Sequence, residues 1–284
     1  KGYDITIFEA LDNMGGVLWY GIPDFRLPKS VLLKLKDKLI NMGIKIRPNT
    51  LIGSAITIDD IFNDGYKSIF IGTGVWKPRK LGIKGETFGH VHYAIDYLKN
   101  PKVYNLGKRV CIIGAGNVAM DVARTALRNG STDVNIMYRE DPESIEAEPI
   151  EVEYAKIDGV KFEVFTAPIE IVDEGVKYVR TEVVKDDSGN KKIEYLESTE
   201  GIFKADSVIL AIGQGPRSNI VSNTIGININ GVGLVEVDQL GRTSRKGVFA
   251  SGDVVTGAKT VVEAVRVSKL VAQAIDEYVC SIEE

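Results

Sequence analysis

The chain has 284 residues, 44% of them hydrophobic and 26% charged, enough to bury a core in about two domains. A net charge of −4 without a basic stripe argues against a nucleic-acid binder. No apolar run approaches the ~18–20 residues that span a bilayer, and no signal peptide is visible. Cys111 and Cys280 form no C-x-x-C pair, which argues against disulfide chemistry, metal ligation or a bound cluster within the chain. A cytoplasmic globular protein is the default expectation.

Residues 5–8 (ITIF) read as a strand ending at Glu9. An acid just past a strand is where a dinucleotide fold holds a ribose, with its glycine fingerprint about 20 residues earlier. Only eight residues precede Glu9. Either Glu9 is an ordinary surface acid, or the chain starts partway through a βαβ unit. Gly15 and Gly16 suit a phosphate approached by backbone amides, or simply a strand-to-helix loop. Residues 30–42 are amphipathic at helical spacing and closed by Gly43. A strand is expected at 45–52, a short helix at 58–62, and a buried strand at 67–71 running into Gly72-Thr73-Gly74. Residues 90–99 read as a helix that starts near the two histidines, His90 and His92, which suit capping or surface roles.

Residues 110–121 (VCIIGAGNVAMD) organise the rest. A β-branched run, Val110 to Ile113, leads into Gly114, Gly116 and Ala119, spaced G-x-G-x-x-A, and residues 117–129 follow at helical spacing. Strand, glycine turn and helix together form a dinucleotide-binding signature. One glycine permits the tight turn, the next admits a pyrophosphate, and the helix amides face the phosphates. The bland alternative is a glycine turn in an α/β core that binds nothing. Residues 133–138 form the expected second strand, and Arg139-Glu140 sits where coenzyme specificity is read. A guanidinium forks onto a ribose 2′-phosphate. Glu140, Asp141, Glu143, Glu146 and Glu148 oppose that charge, and an acid suits the 2′-hydroxyl of NAD; a solvated acidic loop is the third possibility. A helix at 151–157, an antiparallel meander over 161–197 with a hairpin turn at 186–190, and a buried strand at 207–212 ending at Gly213 follow. Short strands at 234–237 and 248–250, the Gly252-Asp253 pair, and a long helix at 261–278 complete the chain.

Glu9 and the segments GGVLWYGIPDFRLPK, IFIGTGVWKPRKLGIKGE, VCIIGAGNVAMD, SVILAIGQGP and GVFASGDVVTGAKTVVEAV stand in the order found in one flavoprotein family. The chain resembles the small (beta) subunit of glutamate synthase, and also the pyridine-nucleotide half of dihydropyrimidine dehydrogenase. The resemblance covers essentially the whole chain. It implies an α/β fold of two Rossmann-like dinucleotide-binding domains, with the NAD(P) domain (105–244) inserted in an N-terminally truncated FAD domain (1–104 and 245–284). Two parts of the family pattern are absent: an N-terminal domain whose cysteines hold iron–sulfur clusters, and the first strand and glycine fingerprint of the FAD domain. The cofactor-binding set implied is Glu9, Gly15, Gly16, Leu18, Arg26, Ile52, Thr73, Gly74, Gly114, Gly116, Asn117, Val118, Arg139, Glu146, Gly213, Gly252, Asp253, Thr260 and Val261, with no catalytic residue and no metal ligand. In the family the aspartate at the position of Asp253 holds the FAD ribityl chain, and the amides at Thr260 and Val261 open the helix towards the flavin.

The function implied is an oxidoreductase subunit that takes hydride from NAD(P)H onto FAD and passes electrons to iron–sulfur clusters or a large partner subunit. NADP(H) is the coenzyme expected from the resemblance, and NAD(H) is kept open by the acidic loop. FAD is expected to bind weakly or not at all, because its main phosphate-binding turn is missing. The competing reading is a nucleotide-binding regulatory or scaffolding module without turnover. A self-contained thioredoxin-reductase-like enzyme is excluded by the lack of a redox cysteine pair.

Overall fold

Val110, Cys111, Ile112 and Ile113 alternate between two faces of the strand Arg109–Ile113, and all are at most 3% exposed. A strand buried on both faces needs a layer on each side. In the computed structural model, which describes residues 1–185 and 190–283, this strand is the centre of a five-stranded parallel sheet. The strand order is Val91–Tyr93, Ser207–Leu210, Arg109–Ile113, Asp133–Met137, Lys161–Glu163. Val110 and Ile112 pack with the helices Ala94–Lys99, Asn117–Arg128 and Pro149–Ile157. Cys111 and Ile113 pack on the other face with Ile171, Val176 and Phe203 of an antiparallel meander. The meander strands are Thr166–Val172, Gly175–Lys185, Lys191–Tyr195 and Gly201–Lys204. The turn expected at 186–190 falls mostly outside the described residues.

This layered unit comprises Tyr20–Pro28 and Pro78–Gly213. The other unit comprises Lys1–Trp19, Lys29–Lys77 and Gln214–Glu284. The divisions thus fall at 19/20, 28/29, 77/78 and 213/214, whereas the sequence suggested 104/105 and 244/245. Two local causes account for the difference. Val91–Tyr93 is a strand that hydrogen-bonds to Ser207–Leu210, and Ile227 and Val235 are buried in the other unit's core. The expected helix at 90–99 accordingly begins only at Ala94. Val91, His92 and Tyr93 are β-branched or aromatic, and pairing with the sheet overrides helical spacing.

The other unit is built on two separate parallel pairs, Thr6–Phe8 with Lys45–Arg47 and Ile69–Ile71 with Val248–Ala250. Its core joins Ile58, Ile71, Val248, Ala250 and Val254. The helix Ile58–Asn63 starts at a reciprocal cap between Thr57 and Asp60. The long helix Val261–Glu283 packs through Val271 and Ala274 on Phe249. Much apolar surface in this unit stays in solvent: Phe70, in mid-strand, is 43% exposed and Val262 78%. Among the described residues no helix is long and apolar enough to cross a membrane.

Candidate nucleotide sites

In the parallel sheet the chain runs from Arg109–Ile113 to Asp133–Met137 on one side, while Ser207–Leu210 flanks it on the other. The order therefore reverses at the carboxyl end of Arg109–Ile113, and ligands of open α/β sheets bind at such a point. Residues 114–116 occupy it. Gly114 has φ +114, and a Cβ there would lie 2.5 Å from the Ala211 carbonyl oxygen, so the fold itself demands glycine. Gly116 is different. It has an ordinary φ of −83, caps the helix Asn117–Arg128, and a Cβ would meet nothing within 4 Å. Among the described residues, the backbone amides of Asn117 and Val118 have no acceptor, as expected for the first turn of a helix. A glycine that the chain's own packing does not require, beside unpaired amides at the helix N-terminus, fits an anion that approaches from outside.

The same sheet edge collects the other residues expected in this unit. Gly213 follows Ser207–Leu210 in a left-handed conformation, and its carbonyl accepts from the Arg79 amide at 3.1 Å. Arg139 follows Asp133–Met137, with its side chain 57% exposed. Glu146 is exposed on the 138–148 loop, which is joined to the glycine turn where the Ala147 amide donates to the Ala115 carbonyl. Asn117 has a structural task as well, since its side-chain oxygen accepts from the Glu148 amide at 2.9 Å. Val118 is half-buried against the helical core.

In the other unit two loops meet. Gly15 and Gly16 both have positive φ, and the amides of Leu18 and Trp19 close a turn back onto them at 3.0 Å. A Cβ on Gly16 would lie 3.7 Å from the Trp76 ring, and the Trp76 indole donates to the Thr73 carbonyl beside Gly74. Gly252 and Asp253 follow the strand Val248–Ala250. Asp253 accepts from the Lys259 amide at 3.2 Å, and burial raises its carboxyl above the ordinary range. The Thr260 hydroxyl accepts from the Glu263 amide at 3.3 Å, and Val261 stands exposed beside it. Glu9 turns back on its own chain to accept from the Leu11 amide at 2.9 Å. Ile52 packs in the core with Ile58 and Ile71.

Arg26 is grouped with neither set of loops. Its guanidinium reaches Asp121 at 2.8 Å and Glu151 at 2.6 Å. Arg124 joins Glu151 to Asp158, and Arg128 reaches Asp158 at 2.6 Å. The Phe25 ring lies under both of these arginines, 4.9 and 4.1 Å from their guanidinium carbons. The sequence carried a signal for this: Asp121, Arg124 and Arg128 form a charged stripe on a helix whose residues from Ala119 to Ala126 are all buried, and a buried charge needs a partner. His92 also departs from a surface role, being half-buried in Val91–Tyr93 with its imidazole pKa lowered by burial and by His90. Cys111 is buried in the sheet, where desolvation pushes its thiol up to about 12. Among the described residues no cluster of three or more His, Cys, Asp or Glu could hold a metal.

Over 290 residues the chain is 36% identical to the NADP(+)-dependent formate dehydrogenase subunit beta of Moorella thermoacetica, covering 98% of this chain and 41% of that one. It is 32% identical to the glutamate synthase [NADPH] small chain of Azospirillum brasilense, covering 98% of this chain and 62% of that one. The chain thus spans about half the length of these relatives. Mycobacterium tuberculosis FprA, solved in complex with NADPH, shares the fold with a TM-score of 0.80 at 17% identity, over 99% of this chain and 78% of that one. Residues 41–268 match the pyridine nucleotide-disulphide oxidoreductase family. This two-unit α/β chain belongs to that family, and along nearly its whole length it is similar to the small chain of glutamate synthase.

Proposed function

We propose that this chain is the nucleotide-binding part of a flavoprotein oxidoreductase subunit, with a nicotinamide dinucleotide on the glycine turn of the layered unit and FAD in the other. The observation that carries the reading is Gly116, an N-cap glycine with an ordinary φ and open space where a Cβ would sit, beside helix amides that have no acceptor among the described residues. Two relatives are named for NADP or NADPH, and FprA was solved with NADPH, which supports the nicotinamide coenzyme. When bound, the two groups supply a hydride donor and an acceptor that releases electrons onward.

The chain's own part is to hold and orient. Gly116 leaves room for a pyrophosphate, the Asn117 and Val118 amides donate to it, and Gly213 turns the neighbouring strand end in a left-handed conformation. In the other unit, the turn at Gly15 and Gly16, the Thr73–Gly74 loop and Asp253 fit an extended FAD. Asp253, partly desolvated and accepting from the Lys259 amide through one oxygen, has, among the described residues, its other oxygen left for a ribityl hydroxyl. A partner subunit, and iron–sulfur clusters as the next electron acceptor, belong to the same reading, as do the relatives' names as subunits or small chains. A cytoplasmic location fits two cysteines that stay unpaired.

A second reading, nucleotide binding without turnover, draws on the FAD-like unit. Its two parallel strand pairs, Thr6–Phe8 with Lys45–Arg47 and Ile69–Ile71 with Val248–Ala250, are separate, and Phe70 in the second is 43% exposed. The purified chain mixed with FAD and titrated anaerobically with NADPH separates the readings. A flavin absorption band that stays with the protein and bleaches on NADPH addition is the expected result. Coenzyme binding without a retained flavin band supports the second reading, and binding of neither nucleotide contradicts both.

A further inference from the structure

The strand Asp133–Met137 ends at the same sheet edge as the glycine turn, so the loop after it lies where the adenine ribose of a dinucleotide is read. Neighbouring segments pin the backbone there. The Thr166 amide donates to the Tyr138 carbonyl at 3.0 Å, the Phe165 amide to the Glu140 carbonyl at 3.2 Å, and the Thr181 hydroxyl to the Arg139 carbonyl at 2.7 Å. The Arg139 side chain remains 57% exposed, and its near carboxylate, Glu140, is 3.8 Å away. The loop then folds back, with the Tyr138 hydroxyl donating to the Ser144 carbonyl at 2.8 Å.

A second cation arrives from the meander. Lys191, at the start of Lys191–Tyr195, donates to the Ser144 hydroxyl at 2.6 Å and to Asp141 at 3.3 Å. An ammonium has three protons to donate, and these two contacts fix its place on the loop while its side chain stays 56% exposed. Both oxygens of Asp141 are engaged, one by Lys191 and both within reach of the Ser144 hydroxyl. Asp141 is therefore poorly placed to accept from a ribose hydroxyl. Glu143, Glu146 and Glu148 lie exposed in water, where their repulsion is screened. The directed donors at this edge are cationic.

We propose that Lys191 acts with Arg139 as a pair of cations recognising a phosphate on the 2′ position of the coenzyme's adenine ribose, which makes the 2′-phosphorylated dinucleotide the preferred one. The proposal rests on the reading of the glycine turn as a pyrophosphate site and deepens it. It gives the meander a part in specificity beyond covering the sheet.

The test is calorimetric titration of the whole 284-residue chain with NADP+ and, separately, NAD+, in the wild type and in Arg139→Ala, Lys191→Ala and Lys191→Arg. The wild type is expected to bind NADP+ more tightly than NAD+. Lys191→Ala is expected to weaken NADP+ by about fivefold, the scale of one exposed ion pair, and to leave NAD+ alone. Lys191→Arg should restore NADP+ binding, which a merely structural lysine would not do selectively. Equal loss for both coenzymes, or unchanged NADP+ affinity in Lys191→Ala, overturns the role of Lys191. Tighter binding of NAD+ by the wild type overturns the preference. Binding of neither coenzyme by the wild type overturns the pyrophosphate reading beneath both.

Discussion

Asp121 sits on the glycine-turn helix with its side chain only 6% exposed, and Arg26 is what makes an acid tolerable there. Arg26, Arg124 and Arg128 face Asp121, Glu151 and Asp158, so the cluster is electrically balanced. Removing one partner of a buried pair strands the other. Arg26→Met is expected to lower stability by about 3 kcal/mol, at the low end for such pairs because Arg124 still lies nearby. A shift in the urea midpoint checks this. Burial nevertheless outweighs the arginines, and the Asp121 carboxyl is raised from 3.8 to about 6. Between those values the folded protein holds more protons than the unfolded chain, so this group's contribution to stability falls as pH rises from 3.8 to about 6. Thermal melts across that range should show the wild type losing stability relative to Asp121→Asn. Parallel curves would mean that Asp121 does not titrate there.

At the scale of elements, one carboxylate ties together the beginnings of two neighbouring strands. Asp206, just before Ser207–Leu210, accepts from the amides of Lys108 and Arg109 at 2.9 Å and from the Arg109 guanidinium at 2.6 Å, which holds its carboxyl down at about 2. Asp206→Ala should cost about 1 kcal/mol, since the orphaned amides are close to water and can rehydrate. A chemical melt measures it, and an unchanged midpoint would show that the strand ends do not depend on the tie. Elements with strong periodicity were legible beforehand. The helix expected at 30–42 is Lys29–Asn41, and the strand at 248–250 appears with the same bounds. The strand expected at 45–52 shrinks to Lys45–Arg47, and 234–237 keeps only isolated bridges. Pairing partners distant in sequence decide how far a strand runs, and local composition carries no record of them.

For the whole molecule, the sequence made the α/β class and the glycine-turn edge legible because Gly114, Gly116 and the strand before them are contiguous. Arg26 was not legible in the same way. It lies in a motif assigned to cofactor binding by resemblance, and its carboxylate partners are 95 and 125 residues further along the chain. Lys191 was silent too, because a lysine in a meander strand looks like any solvated cation until the loop it touches is known. The exposed apolar side chains Phe70, Val262 and Val265 mark the unit that carries them as the less self-sufficient of the two. Gly116 is glycine for the sake of a ligand, on the reading proposed above. The measurement that tests it most directly is NADP+ affinity in Gly116→Val beside wild type, with thermal melts of both. Only a small drop in melting temperature is expected, because valine caps a helix less well than glycine while the space around Gly116 is open and its backbone ordinary, together with loss of NADP+ binding. Full NADP+ affinity in a folded Gly116→Val would contradict it.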